Sequence, residues 1–336
     1  MIRDGIINLL KPAGMTSNDG VQFLRRLTGI TRNFCLCYIS VKRIGHTGTL
    51  DPMAVGVLPL CIGSAARITE YLDLDYKKYR CEMQLGIETD TQDIWGTVVS
   101  GHSEYVADEN KIKETLSNFQ GVISQYPPKY SAVRVNGRRL YEYARRGEAV
   151  EITPREVDIK NITVICVESD KKKVTFDVEC SKGTYIRTIC HDAGRILGCG
   201  AAMSCLIRTA SGAFALDNAA TIEELTENGP EPYLLEPDFP LVHFGQALVN
   251  EEKGKWFVNG GQLRVSDISV IKEPEYKNKE DGFNIRKEYK TAYNVYLNNE
   301  LPASRDTCSF LGVAFYNGEE NKLIADKVFY RAGCER

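Results

Sequence analysis

The sequence predicts an α+β fold, and two observations support that class. Apolar and polar residues alternate in KYRCEMQLG (residues 78–86), as in a strand with one buried face. Helical stretches separate such strands, and polar turns such as ETDTQDIWG (88–96) join neighbours as in hairpins. No run approaches the roughly 20 apolar residues of a membrane helix, and the N-terminus lacks a signal peptide pattern. We therefore expect a soluble, cytoplasmic protein.

The first elements are a strand and a helix. IINLL at residues 6–10 is typical of a short buried strand, and a turn follows it. Ser17 or Asn18 is the predicted cap of a helix whose apolar residues recur at helical spacing. Gly29 then ends this helix, because glycine adopts the left-handed conformation that helix termini favour.

The next elements alternate between strand and helix. VGVLPLCI at 55–62 predicts a buried strand, which we expect Pro59 to break because proline lacks an amide donor. A helix is predicted over about 65–72. The alternating strand at 78–86 and GTVVS at 96–100 then form a predicted hairpin.

The central part of the chain continues the mixed pattern. An amphipathic helix is predicted over 108–119, a strand over 174–180, and a helix over 184–198 that Gly198 closes. The stretch TENGPEPYLLEPDFP at 226–240 is rich in Pro and Glu, as domain boundaries often are. We therefore predict a domain over 1–235.

A second, small β-rich domain is predicted over 236–336. Its strand signals are short apolar runs, namely ALVN, WFVNGGQLRV, NVYLNN and SFLGVAFYNG. Residues 273–290 form a charged insertion, which predicts a mobile loop.

The charges are distributed unevenly along the chain. From Asp217 onward there are 14 Lys and Arg against 21 Asp and Glu, although the whole chain has a net charge of only −3. The first two thirds are therefore mildly basic, which permits binding to a polyanion without requiring it. The eleven cysteines include no C-x-x-C pair, so we expect reduced thiols and no zinc site.

Asp51 is the strongest candidate for a reactive group. It lies in GHTGTLDP, where Gly45 and Gly48 permit tight turns and Pro52 holds the preceding backbone extended. The apolar run that follows would place the carboxylate against a low-dielectric wall, where it could act as a nucleophile or general base. The alternative is an aspartate that only bonds its own turn, since Asp-Pro is common in turns.

Three further residues are weaker candidates when judged by local sequence alone. Arg187 could hold Asp51 ionised and oriented, or it could be a surface arginine. Tyr79 could stack on a base or end a core strand. His46 has no His or Cys at metal-ligand spacing, so metal binding is not expected. His191 is read as a surface histidine.

Residues 127–155 combine basic and aromatic side chains. Seven Lys and Arg residues and three interleaved tyrosines lie in this stretch, which also holds three acidic residues. One interpretation is a segment that contacts RNA, because stacked rings and arginines recognise unpaired bases. The other is a solvated helix whose arginines extend along its surface.

Taken together, these segments resemble the bacterial tRNA pseudouridine synthase B (TruB) family. The similarity runs from about residue 5 to residue 214, in the family's order. Its segments are NLLKPAGMTSND, RIGHTGTLDPMAVGVLPLCIG, KKYRCEMQLGIETDTQDIWG, YPPKYSAVRVNGRRLYEYARRG, and CSKGTYIRTICHDAGRILGCGA followed by CLIRTASGAF. GHTGTLDP and KGTYIRT are its most specific motifs. The resemblance implies a pseudouridine synthase fold, with a mixed, largely antiparallel central sheet and a small C-terminal PUA-like domain.

The resemblance also implies roles for individual residues. Asp51 occupies the place of the family's catalytic aspartate, and Arg187 is similar to the arginine that pairs with it. Tyr79 matches the tyrosine that stacks under the target uracil. Leu206 matches an apolar residue that packs on the uracil.

Two more positions carry implied contacts to the substrate. Tyr185 matches a second tyrosine of the pocket, and His46 resembles the histidine that enters the space left by the flipped base. The 127–155 segment resembles the loop that closes over the RNA. Lys11 and Pro12 belong to a motif that we interpret as mainly structural.

The implied activity is isomerisation of the T-loop uridine at tRNA position 55. The uracil is detached, turned and rejoined after base flipping, with no cofactor and no metal. Asp51 would either attack C1′ or remove a proton from C2′. The implied partner is the T arm of tRNA, and we expect a monomer that acts without another protein or a guide RNA. The alternatives are a tRNA-binding or tRNA-folding protein in which catalysis is secondary, and an enzyme that works within a guide-RNA complex.

The chain departs from the family pattern at two places. The segment TGITRNFCLCYISVKRI (28–44) is longer than we expect. The C-terminal part matches weakly, although FGQALVNEEKGKWFVNGGQL is similar to the start of a PUA-type domain. This acidic region could bind the acceptor end of tRNA or only pack against the catalytic domain.

Overall fold

The computed structural model describes residues 2–30, 43–74, 76–102, 105–106, 108–277, 287–298 and 308–329. Much of the long 28–44 segment and of the 273–290 insertion lies outside these ranges. The predictions made for these two segments therefore concern residues that the structure does not describe. Within the described ranges, no helix has both the length and the apolar character needed to cross a bilayer.

One large sheet forms the centre of the molecule. It has ten strands in the order β14-β1-β3-β12-β4-β11-β10-β7, with β2 beside β3 and β13 beside β12. Every pair is antiparallel except β3 with β12, so the predicted mixed and largely antiparallel sheet is confirmed. The ten strands are β1 (Gly5–Lys11), β2 (Ile44–His46), β3 (Val55–Ile62), β4 (Lys77–Leu85), β7 (Gly121–Gln125), β10 (Arg155–Glu168), β11 (Lys173–Cys180), β12 (Ala201–Ser211), β13 (Phe214–Ala215) and β14 (Leu234–Leu235).

Helices and two small hairpins cover this sheet. The first hairpin pairs β5 (Ile87–Thr89) with β6 (Val98–Gly101), and the second pairs β8 (Arg134–Val135) with β9 (Arg138–Arg139). The helices of this part are α1 (Ser17–Thr28), α2 (Glu109–Ser117), α3 (Leu140–Arg146), α4 (Ile186–Leu197) and α5 (Ile222–Asn228).

The start of α1 differs by one residue from the prediction. Its cap is Thr16, not Ser17 or Asn18, because Thr16 and Asp19 satisfy each other's free backbone amides in a capping box. Gly29 closes the helix in the left-handed conformation, as predicted. The shift leaves the Ser17 hydroxyl free to bond elsewhere.

Strand β3 continues through Pro59, so the predicted break is wrong. The carbonyl of Pro59 accepts a hydrogen bond from the Thr47 amide, which lies just past the end of β2. An amide at position 59 would point to the same side of β3 as the Pro59 carbonyl does. On that side the short β2 has already ended. The strand therefore loses no ladder hydrogen bond there.

The helix predicted over 65–72 is a longer segment of 3-10 geometry. It spans Gly63–Leu74 and is kinked at Leu72. The predicted hairpin of residues 78–86 with 96–100 is wrong, because β4 pairs with β11 and β12 while β6 pairs with the separate short strand β5. Several other elements lie where they were predicted. Alternate residues of β4 from Tyr79 to Leu85 are buried, and α2, β11 and α4 lie where the pattern placed them. The sequence patterns did not predict β10 or β12.

A second sheet of six strands forms the C-terminal part, with the order β16-β20-β19-β18-β15-β17. This small, curled β-rich unit agrees with the expected PUA-like domain. The stretch WFV, predicted as a strand, instead ends α6 (Glu251–Val258), which Asn250 caps through its side chain. The strands are β15 (Gly245–Val249), β16 (Leu263–Arg264), β17 (Ser269–Lys272), β18 (Ala292–Asn298), β19 (Cys308–Asn317) and β20 (Lys322–Val328).

The two sheets share a hydrophobic core. Ile68 and Tyr71, from the 3-10 segment of the larger part, are buried together with Phe244 and Phe329 from the C-terminal part. Polar contacts cross the same interface, and Arg67 donates to the carbonyl of Val328 at 2.9 Å. Burial of this kind favours a fixed arrangement of the two parts over free movement.

Candidate active site

The turn that carries Asp51 lies between the end of β2 and the start of β3. Its own backbone closes it, since the Ala54 amide donates to the Asp51 carbonyl at 3.0 Å. The side chain of Asp51 is about one third exposed, whereas Leu50 and Met53 on either side are buried. The carboxylate therefore opens towards solvent from an apolar floor.

Groups from the N-terminal elements hold this turn. Ser17 Oγ bonds both the amide and the carbonyl of Leu50, at 2.8 and 3.1 Å. The fully buried Lys11 donates from Nζ to the carbonyls of Met15 at 2.7 Å and Pro52 at 3.3 Å. Burial lowers the pKa of Lys11 to about 8. This agrees with the structural role expected for its motif.

Arg208 holds the same turn from the opposite side. It lies on β12 and is completely buried. Its Nη2 donates to the carbonyl of Gly48 at 3.1 Å, and its Nε donates to that of Val57 at 2.7 Å. Sequence reasoning missed both Ser17 and Arg208. A signal existed for Arg208, which is a charged residue within an otherwise apolar stretch, CLIRT.

Arg187 contacts Asp51 directly, as the sequence predicted. It lies in the first turn of α4, where only about one twentieth of its side chain is exposed, and its Nε is 2.8 Å from Asp51 Oδ2. Its Nη1 is also 3.6 Å from Asp93 Oδ2. One buried guanidinium therefore contacts two carboxylates and fixes the direction of the more exposed one.

Two hydrogen bonds of Arg187 tie other segments to the site. Nη1 donates to the carbonyl of Thr91 at 3.1 Å, and Nη2 donates to that of Tyr130 at 3.2 Å. Thr91 belongs to the turn between β5 and β6, and Tyr130 lies near the start of the basic segment 127–155. The position of this arginine is thus set by three separate parts of the chain.

Asp93 is a site residue that sequence reasoning missed. Burial raises the pKa of its carboxyl group, while the hydrogen bond from Thr91 and the charge of Arg187 oppose that shift. Its Oδ1 accepts from Thr91 Oγ1 at 2.9 Å and from the Trp95 amide at 3.0 Å. In the sequence it looks like any aspartate of a polar turn.

An apolar wall lies beside Asp51. Tyr79 and Leu206 belong to the same buried cluster as Leu50 and Met53, and the charge of Asp51 acts on the phenol of Tyr79. Burial raises the pKa of Tyr79 to about 12, so its phenol is neutral near pH 7. The wall therefore offers a ring face and aliphatic surface next to one carboxylate.

Tyr185 is the residue that caps the N-terminus of α4. Its amide donates to Gln125 Oε1 at 2.7 Å, and its carbonyl accepts from Gln125 Nε2 at 3.0 Å. Burial raises the pKa of its phenol, and the charges of Arg187 and Asp51 also act on it. This predicted pocket residue is therefore close to the ion pair.

His46 lies at the end of β2, at the entrance to the Asp51 turn. Burial lowers the pKa of its imidazole, and the cationic side chains of Arg208, Arg139 and Lys77 act in the same direction. The imidazole is thus kept neutral near pH 7. His191 lies elsewhere, with its Nδ1 3.7 Å from Glu88 Oε1.

The basic segment 127–155 contains features of both interpretations. It forms the β8–β9 hairpin followed by α3, so part of it is a solvated helix. Its arginines lie over its tyrosines, with Arg138 5.4 Å from the Tyr143 ring and Arg145 5.3 Å from the Tyr141 ring. These pairs remain largely accessible, so RNA can reach them. Contact with RNA stays a prediction for this segment.

Two family models match the chain over adjacent ranges. Residues 37–186 match the TruB family pseudouridylate synthase N-terminal domain. Residues 187–232 match the tRNA pseudouridylate synthase B C-terminal domain. The first range contains Asp51, and the second begins at Arg187. The ion pair between these two residues therefore joins the two matched ranges.

Curated relatives are similar over most of the chain. The tRNA pseudouridine synthase B of Alkaliphilus oremlandii is 46% identical over 273 residues, which cover 81% of this chain and 87% of that protein. The protein of the same name from Clostridium kluyveri is 39% identical over 293 residues, covering 85% of this chain and 96% of the relative.

Solved structures share the fold at lower identity. A structure described as an H/ACA RNP bound to a substrate RNA containing 2′-deoxyuridine matches with a TM-score of 0.67 and 22% identity. It covers 98% of this chain and 86% of the matched one. A Cbf5-Nop10-Gar1 complex matches with a TM-score of 0.65 and 24% identity, covering 97% of this chain and 84% of the other.

Proposed function

The chain belongs to the TruB family of pseudouridylate synthases, and we propose that its substrate is the T-loop uridine at position 55 of tRNA. It is a tRNA pseudouridine synthase, an isomerase that converts uridine in tRNA. The observation that carries the finer proposal is the Asp51–Arg187 ion pair, which lies beside the buried side chains of Leu50 and Met53 at the most specific motif of the sequence.

The reaction needs one carboxylate that is accessible and ionised. Pseudouridine formation breaks the C1′–N1 bond and forms a C1′–C5 bond within the same nucleotide, so no electrons or groups are supplied from outside. Asp51 either attacks C1′ or removes the C2′ proton, and both routes require its ionised form. Arg187 faces Asp51 Oδ2 from a buried position and orients the carboxylate for either route.

The pocket wall has to retain the detached uracil. We propose that Leu206 and Tyr79, which belong to the same buried cluster as Leu50, supply an apolar surface for it. The neutral phenol of Tyr79 adds no charge to the site, so its ring can pack against the base. Tyr185 closes the pocket at the start of α4.

A uridine within a folded loop must leave its stack to reach Asp51. Such flipping costs a few kcal/mol for each base. His46, neutral at the entrance, would occupy the vacated space and offset part of this cost. The basic segment 127–155 would close over the loop, since its first residues already bond to Arg187 through Tyr130. We propose that the chain acts alone, without a guide RNA.

Tritium release from a T-arm hairpin that carries [5-³H]uridine only at the target position tests this proposal. Wild-type protein should release tritium, because C5 loses its hydrogen when it bonds to C1′. Asp51→Asn keeps the size and hydrogen-bonding atoms of the side chain but removes its charge, so we expect release to fall at least 1,000-fold (about 4 kcal/mol).

The controls separate failure of binding from failure of chemistry. Asp51→Asn should still bind the hairpin with a Kd within a few fold of wild type. Release by the variant at the wild-type rate would remove Asp51 from the mechanism. If wild type releases tritium from a full tRNA labelled at another uridine but not from the hairpin, the proposed target position is wrong.

A further inference from the structure

The turn between β5 and β6 carries an exposed apolar surface. Ile94, Trp95, Val98 and Val99 are 44%, 59%, 57% and 64% exposed, respectively. Single exposed apolar residues are ordinary, but four within six positions of one hairpin, two in its turn and two in β6, indicate a contact surface. The roles described above do not use these side chains.

This surface is attached to the catalytic centre through Asp93. The carboxylate of Asp93 accepts from the Trp95 amide at 3.0 Å through Oδ1, and its Oδ2 is 3.6 Å from Arg187 Nη1. The same guanidinium contacts Asp51 at 2.8 Å. The backbone of Trp95 is therefore linked to the reactive carboxylate through one carboxylate and one guanidinium, which places this residue near the catalytic centre.

The turn is rigid, so the exposed position of Trp95 is built in. The Ile94 amide donates to the carbonyl of Met203, and the Met203 amide donates to that of Gln92, both at 3.0 Å. The Thr97 amide donates to Asp90 Oδ1 at 2.8 Å on the other side. Because this backbone is already fixed, a contact made by Trp95 loses less conformational entropy on binding.

The second tryptophan of the chain differs in one respect. Trp256, in α6, is equally exposed, but its Nε1 donates to the carbonyl of Gln262 at 3.0 Å. Within the described part of the chain, no hydrogen bond holds the Trp95 indole. Its ring is therefore available, while Trp256 provides an internal reference in the C-terminal part.

We propose that Trp95 stacks on an unpaired base of the tRNA loop that flanks the flipped uridine. This inference rests on the proposed function, because it places the target nucleotide at Asp51. Flipping one base leaves its neighbours without a stacking partner, and an exposed indole on a fixed backbone near Asp51 can replace it. Aromatic rings accept any base in this way, so the contact would strengthen binding more than sequence choice.

Fluorescence can test the contact directly, because the chain contains only two tryptophans. Trp256→Phe leaves Trp95 as the single indole, and Trp95→Phe leaves Trp256. Titration with an unlabelled T-arm hairpin should quench the Trp95 emission in the first protein. The second protein corrects for absorption by the RNA. Unchanged Trp95 emission at RNA saturation would overturn the proposal.

Binding and kinetics give the second test. Trp95→Ala should raise Kd and KM for the hairpin by roughly 5- to 100-fold, as expected for the loss of one base stack, and leave kcat within a few fold. Trp95→Tyr should restore most of the affinity. Trp256→Ala is the matched control and should bind the hairpin like wild type.

Abasic hairpins identify the stacked base. Removing the base on one side of the target should weaken binding to wild type, and the same removal should have little effect on Trp95→Ala. If every abasic site affects the two proteins equally, Trp95 does not stack on a flanking base, and a protein partner for this surface becomes the better explanation. Tritium release by wild type in the same assay tests the proposed function independently.

Discussion

At the scale of single residues, the site consists of one guanidinium between two different carboxylates. The side chain of Asp51 is about one third exposed, whereas that of Asp93 is one tenth exposed and bonded to its own turn. Only Asp51 can meet a substrate, so Asp93 is a positioning residue. The sequence identified Asp51 and Arg187 because their motifs are specific. It could not identify Asp93, because a turn aspartate and a buried ion-pair partner look alike locally.

Asp93→Asn should reduce kcat about 10- to 100-fold while KM changes little. The substitution keeps the acceptor for the Trp95 amide but removes a charge-assisted contact to Arg187, worth roughly 1.5–3 kcal/mol. Single-turnover tritium release would measure the effect on chemistry.

The matched control for this change is Asp90→Asn. Asp90 lies in the same turn and also caps a backbone amide, that of Thr97, but it is exposed. We expect Asp90→Asn to retain nearly full activity. Equal losses in both variants would mean that the stability of the turn, and not the position of Arg187, explains the result.

At the scale of elements, the Asp51 turn is fixed by neighbours that are remote in sequence. Ser17 comes from α1, Lys11 from β1 and Arg208 from β12. Sequence patterns predicted β1, α1 and β3 from their own apolar periodicity. They could not predict that β12 lies parallel to β3, because pairing between strands some 150 residues apart leaves no local signal. For the same reason the roles of Ser17 and Arg208 in holding this turn were missed.

Gly56→Ala should destabilise the fold by about 3 kcal/mol or more. Gly56 has a φ of +115°, and a Cβ there would lie 2.9 Å from the carbonyl carbon and amide nitrogen of Arg208. The clash would force β3 and β12 apart, at the place where Arg208 holds the Asp51 turn. Urea unfolding would measure the change in free energy of unfolding.

Gly121→Ala separates backbone strain from this clash. Gly121 has a similar φ of +98°, but no atom lies within 4 Å of an added Cβ. We expect a loss of only about 1–2 kcal/mol, from the conformation alone. If the two variants lose the same stability, close contact with β12 does not explain the need for Gly56.

At the scale of the whole molecule, the two sheets act as one body. The sequence predicted a small β-rich C-terminal domain, but it could not decide whether that acidic part binds RNA or packs against the rest. The shared core and the ion pair between Lys327 and Glu70 show that it does pack against the larger part. Binding of tRNA by this part stays a prediction. The WFV segment was mistaken for a strand because a short apolar run does not distinguish the repeat of a strand from the repeat of a helix.

The interface also contains a histidine that should make stability depend on pH. His243 is buried against the rings of Phe244, Tyr276 and Tyr289. Burial lowers its pKa to about 4, with Lys272 acting in the same direction and the negative charge of Glu275 opposing it. The native imidazole therefore stays neutral in a range of pH where an unfolded chain would already protonate it.

The direction of the effect follows from this difference. Between pH 6.5 and about 4 the unfolded state binds more protons than the native state, so stability falls as pH falls, by roughly 2–3 kcal/mol across the range. His243→Phe keeps an apolar ring in the interface and removes the proton site. The variant should therefore lose less stability on acidification than wild type does. Urea unfolding at several values of pH would measure both slopes, with the exposed His102→Gln as control. Parallel slopes for wild type and His243→Phe would show that acid sensitivity arises elsewhere and that the interface does not depend on a neutral imidazole.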